Sequence, residues 1–162
     1  MPFLYNNAMI QILSGERICK QGQVRLACSA TLFNTTRDKV LLTRRADNGQ
    51  WCLPGGHIDP GETVSEGCER EVWEETGLKV CVTHLTGIYS SPNELVVYPD
   101  AKVQVISMNF NAKLVSGQIS LSSETTNIDW FPVNEAIAMD LFHSHAERIR
   151  DALTGQEAAF LR

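Results

Sequence analysis

One stretch, Gly55 to Leu78, GGHIDPGETVSEGCEREVWEETGL, limits what this chain can fold into more than any other part of it. Thr63 followed three residues later by Glu66 has the spacing of a capping box, and Gly77 is placed to stop a helix in the left-handed conformation, so a helix is expected between them. Val64, Cys68 and Val72 recur every fourth residue and give that helix a buried stripe. Glu71, Glu74 and Glu75, related as i, i+3 and i+4, emerge together beside the stripe within about one turn. Like charges this close repel, and oxygen-only ligands of this kind suit a hard divalent cation such as Mg²⁺ or Mn²⁺ rather than zinc. Arg70 precedes the cluster and can steady a carboxylate, while Gly55 and Gly56 let the backbone approach a ligand or metal closely.

An acidic run is ordinarily a solvated helix face. The intervals here are more particular: Gly56, five residues, Glu62, seven residues, Arg70-Glu71-Val72, one residue, Glu74-Glu75, one residue, Gly77-Leu78. At every defined position the stretch resembles the Nudix box. The flanking RDKVLLTRRADNGQWCLPGG and NIDWFPVNEAI extend the likeness over about residues 22 to 140.

That resemblance implies a Nudix-type α/β/α sandwich with a mixed β-sheet between helices, and a metal-dependent hydrolase acting on a phosphoanhydride bond. It implies Glu71 and Glu75 as the firmest metal ligands, Glu74 as a third or shared one, and the carbonyl of Gly55 as a backbone ligand. Arg70 and Glu62 resemble the positions that orient helix and loop, with Gly56 and Gly77 as structural positions. The general base in the family is either a box glutamate or one on a later loop. Glu124, six residues before Trp130, is the later-loop candidate, and Asn127 stands where related sequences often carry a second acid. Such chemistry needs charge neutralised on the phosphate oxygens and a water aimed in line with the leaving group.

A chain of 162 residues fits a single domain, 1–162, able to bury a core without staples. Its net charge of −5 argues against a large nucleic-acid footprint, so no stable nucleic-acid partner is expected. Cys19, Cys28, Cys52, Cys68 and Cys81 show no CxxC or Cys/His ligand spacing and read as reduced small hydrophobes. With no apolar run of membrane length and no leader pattern, a soluble cytoplasmic protein without a membrane partner is expected, and a homodimer stays open.

Residues 1–20 carry apolar positions without a clear period and read as an N-terminal arm or edge strand. Val24–Phe33, a turn at NTTRDK and VLLTRR read as a hairpin, followed by a short strand at Trp51–Leu53 and a glycine loop. Strands are expected at Leu78–Tyr89, Lys102–Leu114 and Asn127–Val133, and one or two helices over Ala136–Leu153, giving an α+β class.

Arg44 and Arg45 are candidate phosphate contacts, because guanidinium forks match phosphate oxygens. His57 could touch substrate, although a loop histidine ordinarily faces solvent; His84, His143 and His145 have no ligand-like partners in sequence. Trp51, Trp73 and Tyr98 could stack on a base, although such aromatics more often pack. Pro92 and the Tyr98-Pro99-Asp100 turn resemble the ADP-ribose pyrophosphatase-like branch. The substrate implied is a small nucleotide, a nucleoside diphosphate linked to another group. The alternatives are a MutT-like nucleoside triphosphate pyrophosphohydrolase and, from a different class, a non-catalytic nucleotide sensor, against which stands the retention of Glu62, Glu71, Glu74 and Glu75.

Overall fold

Ala27–Leu32, six consecutive buried residues, mark a strand covered on both faces, and the rest of the fold is laid out around it. The structure is a computed structural model that describes residues 10–162. In chain order these form β1 (Gln11–Ser14), a 3-10 turn at Ile18–Gln21, β2 (Gln23–Leu32), β3 (Lys39–Arg45), β4 (Trp51–Cys52), β5 (Gly55–His57), α1 (Val64–Thr76) and β6 (Leu78–Tyr89). Then come β7 (Glu94–Val97), β8 (Lys102–Gly117), β9 (Thr125–Pro132), α2 (Val133–Ala136), α3 (His145–Leu153) and β10 (Phe160–Leu161).

The larger sheet is mixed. β2 runs parallel to β8 from Gln23↔Val103 to Leu32↔Ala112, and its other edge takes β5 antiparallel through Cys28↔Gly56. The far edge of β8 carries β7 at its start and β6 beyond, and β10 pairs parallel with β6. The smaller sheet is antiparallel, in the order β4-β3-β9.

The expected hairpin of β2 with β3 is not formed. After the Asn34–Asp38 turn the two strands share only the bridge Phe33↔Val40 and diverge into different sheets. Both edges of β2 are already occupied by β8 and β5, so β3 finds its ladder on β9. The glycine pair is likewise strand rather than free loop, since Gly55 and Gly56 sit opposite Ser29 and Cys28. Part of the expected N-terminal segment is an edge strand: β1 pairs antiparallel with β7, while residues 1–9 lie outside those described. The helical expectation for Ala136–Leu153 resolves into short α2 and α3 with a non-helical stretch between. β7 and β10 were not expected from the sequence.

Alternation along β2 sorts its two faces. Cys28, Ala30 and Leu32 join Cys68, Val72, Leu78, Val80 and Phe110 in a core under α1. Ser29 faces the other way, toward α3, where Arg148 donates to its hydroxyl. A second apolar cluster, Val40, Leu42, Leu53, Ala136, Leu141 and Ile149, joins α2 and α3 to the smaller sheet. Helices on both faces of a mixed sheet give the expected α+β sandwich. All five cysteines are free, and Cys81 is the exposed one.

Candidate active site

The box helix is held at both ends by local chemistry. Thr63 Oγ1 accepts from the amide of Glu66, whose carboxylate accepts from the amide of Thr63 at 2.7 Å. At the other end Gly77 takes φ 74° and donates its amide to the Trp73 carbonyl at 2.8 Å. Between them the helix presents its acids toward β5.

Arg70 collects most of those acids. Its guanidinium grips Glu62 with two nitrogens at 3.0 and 2.7 Å, reaches Glu71 at 2.9 Å and Glu74 at 3.3 Å, and donates to the His57 carbonyl at 3.0 Å. This fork holds the Glu62 carboxyl down at about 2. Arg70 thereby ties the loop bearing Glu62 to the box helix.

Glu75 stands apart from that network. It is half-buried, its Oε2 accepts from the Gly55 amide at 3.0 Å, and no ion pair to it occurs among the described residues. Burial, with the charges of Glu71 and Glu124 adding to it, pushes its carboxyl up to about 8. Burial also raises Glu71, against the pull of Arg70. Gly56 is what allows Glu71 to lie there: a Cβ on Gly56 would stand 2.4 Å from the Glu71 carboxyl carbon.

Glu124 is brought to the same place from a distant loop. Its carbonyl accepts from Ala46 at 2.9 Å, the next residue, Thr125, donates its hydroxyl to the Glu75 carbonyl at 3.1 Å, and its charge is felt at both Glu71 and Glu75. The two arginines ending β3 part company. Arg44 is exposed and donates Nε to the Gly49 carbonyl at 2.9 Å, whereas Arg45 pairs with Asp47, stacks over Phe142 at 4.3 Å and reaches Glu75 with its charge. Trp73 is exposed on the helix, and Trp51 packs edge-on against Phe131 at 4.7 Å.

Sequence reasoning missed the support beneath this centre. His145, buried on α3, accepts the Leu53 amide on Nδ1 at 2.8 Å, fixing the segment that leads into Gly55. Burial keeps its imidazole well below the ordinary histidine range, hence neutral and able to accept. Arg148, one turn further, donates to the hydroxyls of Ser29, Ser107 and Ser144 and lies over Tyr89; burial pulls it down to about 10. Ser144 apart, these partners lie far apart in the chain, and no local pattern announces them.

Among the described residues no three His, Cys, Asp or Glu side chains enclose an ion by themselves. The donor chemistry nonetheless fits a hard divalent cation: the groups are all oxygens, and the half-buried Glu75 has no ion-pair partner among the described residues. Mg²⁺ is commonly held by one or two carboxylates, with waters and substrate phosphates completing the shell.

A mixed-sheet sandwich whose central helix crowds carboxylates against a glycine strand edge, with an acid from a later loop near enough to act on their charge, has the build of a hydrolase for phosphate anhydrides. Residues 24–153 match the NUDIX domain, and the chain belongs to that family: it is a Nudix hydrolase. It is 38% identical over 117 residues to a MutT-like protein of Streptomyces ambofaciens, covering 72% of this chain and 70% of that one. It is 35% identical over 117 residues to an ADP-ribose pyrophosphatase of Methanocaldococcus jannaschii, covering 70% and 65%. Among solved structures, an ADP-ribose pyrophosphatase from Streptococcus suis superposes with a TM-score of 0.66 at 25% identity, covering 85% of this chain and 97% of that one.

Proposed function

We propose that this Nudix hydrolase cleaves the phosphoanhydride of a nucleoside diphosphate linked to another group, of the ADP-ribose or nucleotide-sugar type, with Mg²⁺ or Mn²⁺ as cofactor. The observation that carries the reading is Glu75, a half-buried carboxylate with no ion-pair partner among the described residues, set against the Gly55 amide with Glu71 and Glu124 close enough to raise its pKa. A bound divalent ion supplies positive charge against the diphosphate oxygens. Glu71, Glu74, Glu75 and the Gly55 carbonyl are the groups that would hold it.

Around that centre each residue has its own task. Arg70 neutralises Glu62, Glu71 and Glu74 enough for them to share one helix face. Arg45 offers a guanidinium to phosphate oxygens, with Arg44 at the rim as a second cation. Glu124 comes from the later loop, its charge felt at Glu71 and Glu75, and in this reading takes the proton of the attacking water. The relative from Methanocaldococcus jannaschii supports the linked-diphosphate substrate, and the MutT-like relative supports a nucleoside triphosphate as the second reading. Five free thiols fit a reducing, cytoplasmic setting.

The deciding experiment incubates the protein with ADP-ribose, nucleotide sugars and nucleoside triphosphates in Mg²⁺ or Mn²⁺. Monophosphate pairs from the linked diphosphates are expected; release of pyrophosphate from triphosphates at higher kcat/KM would transfer the assignment to the second reading.

A further inference from the structure

Just beyond Gly56, residues from three separate segments meet. The guanidinium carbon of Arg25, on β2, lies 5.6 Å from the ring centroid of Tyr98, and the His57 ring approaches the same ring at 6.3 Å and 62°. Arg25 and His57, with Leu26 and Ile58, line an open cleft of about 260 Å³. Pockets for whole drug-sized ligands run to roughly 300–1,000 Å³, so this one suits a single moiety.

One ring nitrogen at the cleft lacks a hydrogen-bond partner among the described residues, although the His57 ring also meets the Leu26 backbone. Nδ1 of His57 is buried and unbonded, and among the described residues Arg25 has no carboxylate partner, its contact being the face of Tyr98. Buried polar atoms are nearly always satisfied in a finished site, so an orphan at a cleft marks a place for a ligand atom. The cleft adjoins the carboxylate centre: the His57 carbonyl accepts from Arg70 at 3.0 Å, and the charge of Arg45 is felt at both His57 and Glu75.

We propose that this cleft receives the nucleobase of the substrate, an inference that rests on the nucleotide reading above. Leu26 and Ile58 supply apolar contact, Arg25 supplies a cationic plane that stacks on a ring, and His57 Nδ1 meets a polar atom on the base edge. A phosphate would need several N–H donors and would gain nothing from Leu26 and Ile58.

Titration calorimetry of the full chain with AMP, GMP, CMP and UMP, and with the base-free ribose 5-phosphate, tests this without turnover. The best-bound monophosphate is expected to exceed ribose 5-phosphate by about tenfold or more, and Arg25→Gln and His57→Leu should each remove about 5- to 10-fold of that advantage, leaving ribose 5-phosphate unchanged. Thermal melts identify a variant that has lost its fold, in which case the other carries the test. Equal loss for base-bearing and base-free ligands would make the cleft an anion site and overturn the proposal, as would unchanged binding in both variants. A wild type that discriminates bases in this way yet hydrolyses no nucleotide would instead overturn the proposed reaction and leave the cleft assignment standing.

Discussion

Replacing Gly56 by alanine separates the geometry of the site from the stability of the fold. The backbone at Gly56 is not in the left-handed region, so alanine meets no conformational barrier there. Its Cβ, however, would stand 2.4 Å from the Glu71 carboxyl carbon and 2.5 and 2.6 Å from the two oxygens. Carbon atoms settle at about 3.5 Å or more, so the carboxylate must withdraw by about 1 Å. As the end of a flexible side chain it can do so, but it leaves the 2.9 Å bond from Arg70. A hydrogen bond to a charged group contributes about 1.5–3 kcal/mol, less here because Arg70 is partly exposed, and glycine-to-alanine in a strand returns about 0.5–1 kcal/mol. The net loss is about 1–2 kcal/mol, a Tm decrease of roughly 2–8 °C. Catalysis is far more sensitive, because a misplacement of about 1 Å lowers rate by on the order of 100-fold, or about 2.7 kcal/mol of barrier. Steady-state kcat/KM with ADP-ribose and a thermal melt of the same sample measure both. Activity within threefold of wild type would refute the reasoning. Gly55→Ala makes the contrast: its Cβ would meet the Cys28 carbonyl at 2.1 Å and Ser29 Cα at 2.7 Å, backbone atoms of β2 that cannot swing aside, so folded protein itself should be lost.

Further outcomes are expected from the same centre. Excess chelator should abolish turnover and added Mg²⁺ restore it; undiminished turnover without retained metal would remove the divalent ion from the account. Glu75→Gln should lower kcat by on the order of 100-fold or more with the fold intact, and near-normal kcat would move the chemistry off the box helix. Glu124→Gln should lower kcat by roughly 10² to 10⁴ with little change in KM, whereas a loss confined to KM would make Glu124 a substrate contact. His145 has a folded pKa well below 6.5, so its contribution to stability is complete above pH 6.5 and is lost as pH falls from there, when the unfolded chain takes up a proton that the folded one refuses. The slope it adds is at most about 1.4 kcal/mol per pH unit, and His145→Gln, which keeps an acceptor for Leu53, should flatten the pH dependence of Tm between 6.5 and 5. An unchanged slope would mean that His145 is not the group titrating there.

What the sequence made legible was what is decided locally. The Thr63-Glu66 cap, the Gly77 stop and the Val64-Cys68-Val72 stripe are each set within a few residues, and all stand as expected. β6 was equally readable, with its bounds at Leu78 and Tyr89, because it carries strand character over its full length. Pairing was not readable. The Asn34–Asp38 turn does bring Phe33 opposite Val40, yet β2 has residues buried on both faces and needs two neighbours, which come from β5 and β8. β7 and β10 are too short to carry a period. In the site, the helix acids were evident from spacing, and Glu124 was found from the resemblance. The props under Gly55 were invisible, since His145 and Leu53 meet only once α3 has docked.

The parallel ladder between β2 and β8 also sets a timetable for synthesis. Gln23 must wait for Val103 and Leu32 for Ala112, and at roughly 5–20 residues per second a ribosome takes about 4–16 s to deliver the partner. During that interval α1 can form on its own capping signals, but the segment Ala27–Leu32 has half its ladder missing and its apolar side chains uncovered. Such a strand is a template for intermolecular pairing. The yield of soluble chain should therefore respond to translation rate and to early shielding of residues 27–32. Substitutions that weaken β8 would reduce the amount of enzyme obtained before they alter what each folded molecule does.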